Sequence, residues 1–288
     1  MNKYVIFTDS GCDIAPALLA EWGVSYRNLT FRFQESEVEY TGDDMDAKTF
    51  YDKMREGGVA KTAAINIGIF SEAFEPILKK GQDILYLGFS SGLSTTYNSA
   101  RLAAEQLKES YPDRKIVTVD TLAASAGEGL LLWYAVEKQK SGATLEENAE
   151  YVKGLIPSLC HWFTVDDLVY LKRGGRISPT AAFVGNVLGI KPVLHVDNEG
   201  HLINMFKVRG RRSAVTALAD KYTESALDPE GGVVFISHAD CEGDVQALSK
   251  TLKDRHGVDV KIVSNVGPVI GAHSGPGTLA LFFLGNAR

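Results

Sequence analysis

A hydroxyl-rich run, Ser90-Ser91-Gly92-Leu93-Ser94-Thr95-Thr96, follows an apolar stretch and leads into a helical one. Hydroxyls at a helix start either cap its free N–H groups or share them, with the positive end of the helix dipole, with a bound anion. Ser94 and Thr95 are placed for either role, and the run alone leaves both open. The same segment contains Gly88-Phe89-Ser90-Ser91-Gly92, a match to G-x-S-x-G. On that reading Ser90 is a hydrolase nucleophile, His273 its base and Asp240 the residue that orients the base. Gly92-Leu93-Ser94 speaks against it, because it reads as loop where a nucleophile-elbow helix should already have begun. No HGGG segment precedes the serine either.

Two further constellations stand out. Gly267-Pro268-Val269-Ile270-Gly271-Ala272-His273-Ser274-Gly275-Pro276-Gly277-Thr278 surrounds one histidine with glycine and proline, which predicts an unusual backbone path and close approach. It lacks the Gly-Lys-Ser/Thr of a phosphate loop and the G-x-G-x-x-G of a dinucleotide fold. His273 is therefore a candidate site residue, whereas His161, His195, His201, His238 and His256 have no partners at metal spacing and read as structural or surface. Leu171-Lys172-Arg173-Gly174-Gly175-Arg176-Ile177-Ser178 is a basic turn whose charge suits an anionic headgroup, an acidic partner or plain solvent.

The elements that must carry these residues follow from periodicity. Tyr4–Asp9, Ile84–Ser90 and Ile116–Asp120 are apolar runs of strand length ending in polar residues. Ala100, Ala103, Ala104 and Leu107 mark one helix face, and Leu145, Ala149, Val152 and Ile156 another. The second opens on a capping box, Thr144-x-x-Glu147, and stops at Pro157. Strand–helix alternation predicts a parallel sheet, with ligands outside the strands' carboxyl ends. After Pro157 the pattern changes. His161–Val165 is a strand, and Pro192–Val196 and Leu202–Lys207 form an antiparallel hairpin around Asp197–Gly200. A helix through Val215, Leu218, Ala219 and Tyr222 follows, then Val233–Ser237, a helix through Val245, Leu248 and Leu252, and the strand Val258–Ser264. The prediction is an α/β protein of two domains, 1–157 and 158–288. The first is parallel-sheet and Rossmann-like, the second mixed α/β.

Bulk composition narrows the function. The 288 residues are 45% hydrophobic with net charge −6, which disfavours general nucleic-acid binding. Between Cys160 and Val215, however, eight basic residues meet four acidic ones, leaving about −10 for the remainder. A local basic patch on an acidic chain suggests one specific anion or partner. Cys12, Cys160 and Cys241 are too widely spaced for a disulfide framework or a zinc site. Tyr4–Phe7 enters a strand directly, with no leader-like apolar region, and the expectation is a reduced, cytoplasmic protein.

In their order, these segments resemble the DegV family over nearly the whole chain: Thr8-Asp9-Ser10 with Asp13, the SSGLS-T-TY segment, Val119-Asp120-Thr121 with Ser125 and Gly127, Phe163-Thr164-Val165 through the basic turn, Ile190-Lys191-Pro192, Lys207-Val208-Arg209 and the glycine-rich stretch. The resemblance implies two α/β domains with a long-chain fatty acid, such as palmitate or oleate, buried between them. It implies a non-catalytic lipid-binding subunit that presents this acid to a separate ATP-dependent fatty acid kinase subunit, with no metal or other cofactor and with peripheral membrane contact during lipid exchange. Carried over by position, Thr62, Ser94 and Thr95 hold the carboxylate, Arg209 and His273 lie behind it, and Arg173 and Arg176 engage the kinase subunit. A lipid sensing or transport module without a kinase is the neighbouring alternative, and the Ser90 esterase the enzymatic one. This chain departs from the family pattern at Ala63-Ala64-Ile65-Asn66, where Ser-Gln-Pro is usual, and at Thr95, where Gly is usual. The chemistry is consistent: burying ~16 CH₂ groups supplies a gross ~13 kcal/mol, and a buried carboxylate needs several donors to stay charged.

Overall fold

The computed structural model describes residues 4–178 and 189–288. In chain order the first half comprises β1 (Tyr4–Asp9), α1 (Pro16–Trp22), β2 (Ser25–Arg27), β3 (Thr30–Phe33), α2 (Ala47–Arg55), β4 (Ala60–Ala63) and α3 (Ile67–Lys79). It continues with β5 (Asp83–Gly88), α4 (Thr96–Ser110), β6 (Ile116–Asp120), α5 (Ala126–Lys140) and α6 (Leu145–Leu155). The second half comprises β7 (Leu159–Thr164), α7 (Val169–Arg173), β8 (Ile190–Val196), β9 (Leu202–Arg209) and α8 (Arg211–Ser225). It ends with β10 (Phe235–His238), α9 (Glu242–His256), β11 (Ile262–Asn265), α10 (Pro268–Ser274) and β12 (Leu279–Leu284).

The first sheet runs β2-β1-β5-β6 with every pairing parallel, as the strand–helix alternation requires. The second runs β11-β10-β12-β7-β8-β9 and is mixed: only β10–β11 is parallel. The hairpin β8–β9 pairs Val196 with Leu202 and turns through Gly200 at φ 79°. The capping box forms, with the Glu147 N–H donating to Thr144 Oγ1 at 3.2 Å and the Thr144 N–H donating to Glu147 Oε2 at 2.8 Å.

Several elements escape the periodicity. Helix α5 is buried on every side through Leu130, Leu131, Leu132 and Ala135, and polar only at Glu128 and in its last turn, because it lies between the two sheets and touches β1, β5, β7, β10 and β12. Such a helix has no amphipathic signature to find. Strand β12 is continuous apolar sequence at the centre of the second sheet, between β10 and β7. A small antiparallel pair, β3–β4, forms a satellite core with α2 and α10 around Phe31, Phe50 and Tyr51. The glycine-rich stretch, expected as irregular backbone, contains α10 and leaves it through Gly275 and Gly277 at positive φ.

Candidate functional site

A cavity of about 510 Å³ opens between the loops at the carboxyl end of the first sheet and one face of the second. This is within the ~300–1,000 Å³ usual for small-molecule sites. Its wall is largely apolar, from Leu29, Phe89, Phe163, Val196, Leu202, Val269, Ala280 and Phe282. One end is polar and is built by three segments: Thr62 and Ala63 of β4 with Ala64 after it, the loop Ser91–Thr95, and Arg176 with His273.

Each polar side chain is positioned locally. Ser94 stands just before Thr95, the N-cap of α4: its Oγ accepts the Thr96 N–H at 3.2 Å and lies 2.9 Å from Thr96 Oγ1. Thr95 stands exposed at the helix start, where first-turn N–H groups have no intrahelical partner. Thr62 Oγ1 and His273 Nε2 are 2.8 Å apart. Burial, and after it the charge of Arg176, lower the His273 pKa to about 4, so the ring is neutral at physiological pH. With its proton on Nε2, His273 donates to Thr62 and frees the threonine hydroxyl to donate into the cavity. Gly174 is required beside it, since a Cβ there would overlap His273 Nδ1.

Arg176 decides the electrostatics of this end. Its Nε donates to the Leu93 carbonyl at 3.2 Å and its Nη1 to the Gly174 carbonyl at 2.5 Å. It is half-buried and forms no ion pair with any carboxylate among the described residues. Burial lowers its pKa, the expected cost of a cation taken from water without a counter-charge. Arg173, on the same turn, is exposed and lies over the Tyr170 ring at 5.7 Å. Arg209 ends the edge strand β9, exposed and outside the cavity lining. The structure thus brings Thr62, Ser94, Thr95, Arg176 and His273 together, and leaves Arg173 and Arg209 elsewhere.

The Ser90 triad is not assembled. Ser90 is fully buried and its Oγ donates to the Gly200 carbonyl at 2.9 Å. His273 is paired with Thr62, and Asp240 with Arg55. The β8–β9 turn docks so closely on this loop that side chains at Gly92 or Gly200 would overlap it. Helix α4 begins at Thr96, well after the serine, as the loop reading predicted.

The polar strand ends serve the loops. Asp9 accepts from Tyr86 Oη at 2.6 Å, the Phe89 N–H at 3.1 Å and the Gly11 N–H at 2.9 Å. Asp120 accepts from the N–H groups of Ser91 and Leu122. Glu128 of α5 is fully buried, accepts from Thr8 at 2.8 Å, and is held well above the usual carboxylate range by burial and by Asp9. Among the described residues no group of three or more His, Cys, Asp or Glu could hold a metal, and no helix is long and apolar enough to cross a membrane.

The family whose model describes "Uncharacterised protein, DegV family" matches residues 3–286. The chain belongs to the DegV family. A DegV domain-containing protein of Clostridium perfringens is 42% identical over 289 residues, covering 100% of this chain and 99% of that one. The crystal structure of a DegV lipid binding protein from Thermotoga maritima is similar at TM-score 0.86 and 31% identity, covering 99% of each chain. A fatty acid-binding DegV family protein from Thermus thermophilus matches at TM-score 0.87 and 29% identity, over 98% of this chain and 99% of that one.

One carboxylate of this DegV chain makes a stability prediction. Asp13, at φ 51°, accepts from Ser125 Oγ at 2.5 Å and from the Gly267 N–H at 2.9 Å. Burial nevertheless pushes it up to about 7. The folded chain therefore holds this proton more tightly than the unfolded chain, whose value is about 4. The contribution is most favourable below pH 4 and is lost as pH rises through 7. Asn tolerates this backbone and can keep both contacts. Asp13→Asn should flatten stability between pH 4 and 7 and add about 2 kcal/mol at pH 8, partial exposure reducing the full effect of the shift. Urea unfolding of both proteins at pH 5 and 8 measures the difference, and equal gaps at the two pH values would refute it.

Proposed function

We propose that this protein is a two-domain lipid carrier, residues 1–157 and 158–288, that encloses a long-chain fatty acid with its carboxylate at the Thr62–Arg176 end. The observation that carries this is Arg176: a half-buried cation without a carboxylate partner among the described residues, at the polar mouth of an apolar cavity. A carboxylate completes its charge, while hydroxyls from Thr62 and Ser94 and the start of α4 supply further donors. The fatty acid binding stated for the Thermus thermophilus relative supports the same reading. Within it, Arg209 has no headgroup role and Arg176 takes the place beside His273.

The carrier presents its lipid to a separate ATP-dependent kinase subunit, and Arg173, exposed on the basic turn next to exposed Lys172, meets that partner. The family resemblance supports this assignment, as does the exposure of Arg173 on the turn that carries Arg176. Protein purified from a bacterial host should yield a stoichiometric fatty acid by mass spectrometry of extracted lipid. Arg173→Ala should retain palmitate affinity and slow acyl phosphate formation by added kinase subunit about five- to ten-fold, more so at higher salt. Apo protein that takes up neither palmitate nor oleate would refute the carrier. Undiminished acyl phosphate formation would leave a carrier whose partner contact lies elsewhere.

A further inference from the structure

The headgroup end does not account for all the polar groups of the cavity. His161 of β7 lines it and is 1% exposed, and among the described residues neither ring nitrogen has a partner of full hydrogen-bonding geometry, a weaker backbone hydrogen bond to Leu159 being all that bears on the ring. Strand register fixes its place. Ser237, Ala280 and Phe163 form one row across β10, β12 and β7, and Phe235, Phe282 and His161 form the next row on the same face. This face carries the apolar wall, and the His161 ring packs edge-on against Phe282 at 5.5 Å. On its other side Gly127 opens α5, and a Cβ there would overlap the Nε2–Cδ2 edge of the ring. The fold therefore makes room for a buried imidazole at a point in the wall where phenylalanine would cost no unmet hydrogen bond.

We propose that the cavity has a second, uncharged polar subsite at His161 that receives a hydroxyl carried along the acyl chain. The inference rests on the carrier reading above and names its ligand class: monohydroxylated long-chain fatty acids. A hydroxyl both donates and accepts, so it satisfies either ring nitrogen whichever bears the proton. A double bond or methyl branch satisfies neither. Burial, and after it the charges of Arg288 and His195, hold the ring neutral. Arg288 bears on the ring from outside the cavity lining, whereas Arg176 lines it, which sets this subsite apart from the one at Arg176. Ser125 Oγ bonds both Asp13 and Ser237 Oγ, the latter at 2.8 Å, so these hydroxyls are already engaged, whereas His161, like Ser274 Oγ of the same lining, lacks a full hydrogen-bond partner among the described residues.

The test is calorimetric titration with stearate and with a positional series of monohydroxystearates. One isomer should bind at least about ten-fold more tightly than the others, the discrimination expected of one buried hydrogen bond. His161→Phe should lower the affinity of that isomer about ten-fold and leave stearate within about two-fold. Uniform weakening of every hydroxylated isomer relative to stearate would overturn the proposal, as would a preferred isomer that His161→Phe does not affect. The native series decides the matter even if the variant fails to fold. Normal stearate binding without a preferred isomer removes this inference alone, whereas absence of stearate binding removes the carrier reading with it.

Discussion

Arg176→Ala should weaken palmitate binding about 100-fold or more while leaving the ligand-free protein as stable as before to within about 1 kcal/mol. The two effects separate for a physical reason. In the protein alone the partners of Arg176 among the described residues are two carbonyls, Leu93 and Gly174, and no carboxylate among them matches its charge. Removing it forfeits two hydrogen bonds but also the desolvation cost of a cation. In the complex the same change leaves a carboxylate in an apolar cavity beside a neutral His273, where an unpaired buried charge costs about 3–5 kcal/mol. Arg176→Lys should recover only part of the affinity, because a compact ammonium cannot keep the planar contacts of the guanidinium. Calorimetry with palmitate and urea unfolding of the same samples test both halves. Unchanged affinity in Arg176→Ala would place the carboxylate elsewhere.

Filling the apolar wall should be as damaging and should depend on chain length. Ala280 is 6% exposed, lines the cavity, and stands in the row between Ser237 and Phe163. Ala280→Phe adds a ring into a cavity of about 510 Å³, so the backbone of β12 need not move to admit it. The ring displaces roughly four methylenes of a bound chain at about 0.8 kcal/mol each, a loss of about 3 kcal/mol or some 150-fold for palmitate. Decanoate, with its carboxylate still at Arg176 and a shorter tail, should lose much less. An equal loss for both acids would mean that Ala280 acts through general disruption, and no loss would mean that the chain does not run along this face.

The sequence by itself determined the strands Tyr4–Asp9 and Ile116–Asp120, the parallel order they imply, the capping box at Thr144, and the antiparallel hairpin at Asp197–Gly200. These are local properties: side-chain periodicity, a cap and a turn each act within a few residues. It also carried the order of motifs that marks the family. It could not separate Arg176 from Arg173, three residues apart in one basic turn, or from Arg209, because charge along a chain says nothing about which guanidinium a fold turns inward. Docking of that turn against Leu93 and His273 decided it. Ser90 has the neighbours of a nucleophile in sequence, yet a turn 110 residues away occupies its hydroxyl. Helix α5 and strand β12 were hidden for the opposite reason: burial on every side removes the polar face that makes an element periodic. His161 looked like any core histidine until strands β10, β12 and β7 placed it on the cavity wall, since strand register, a long-range property, decides which residues share a face.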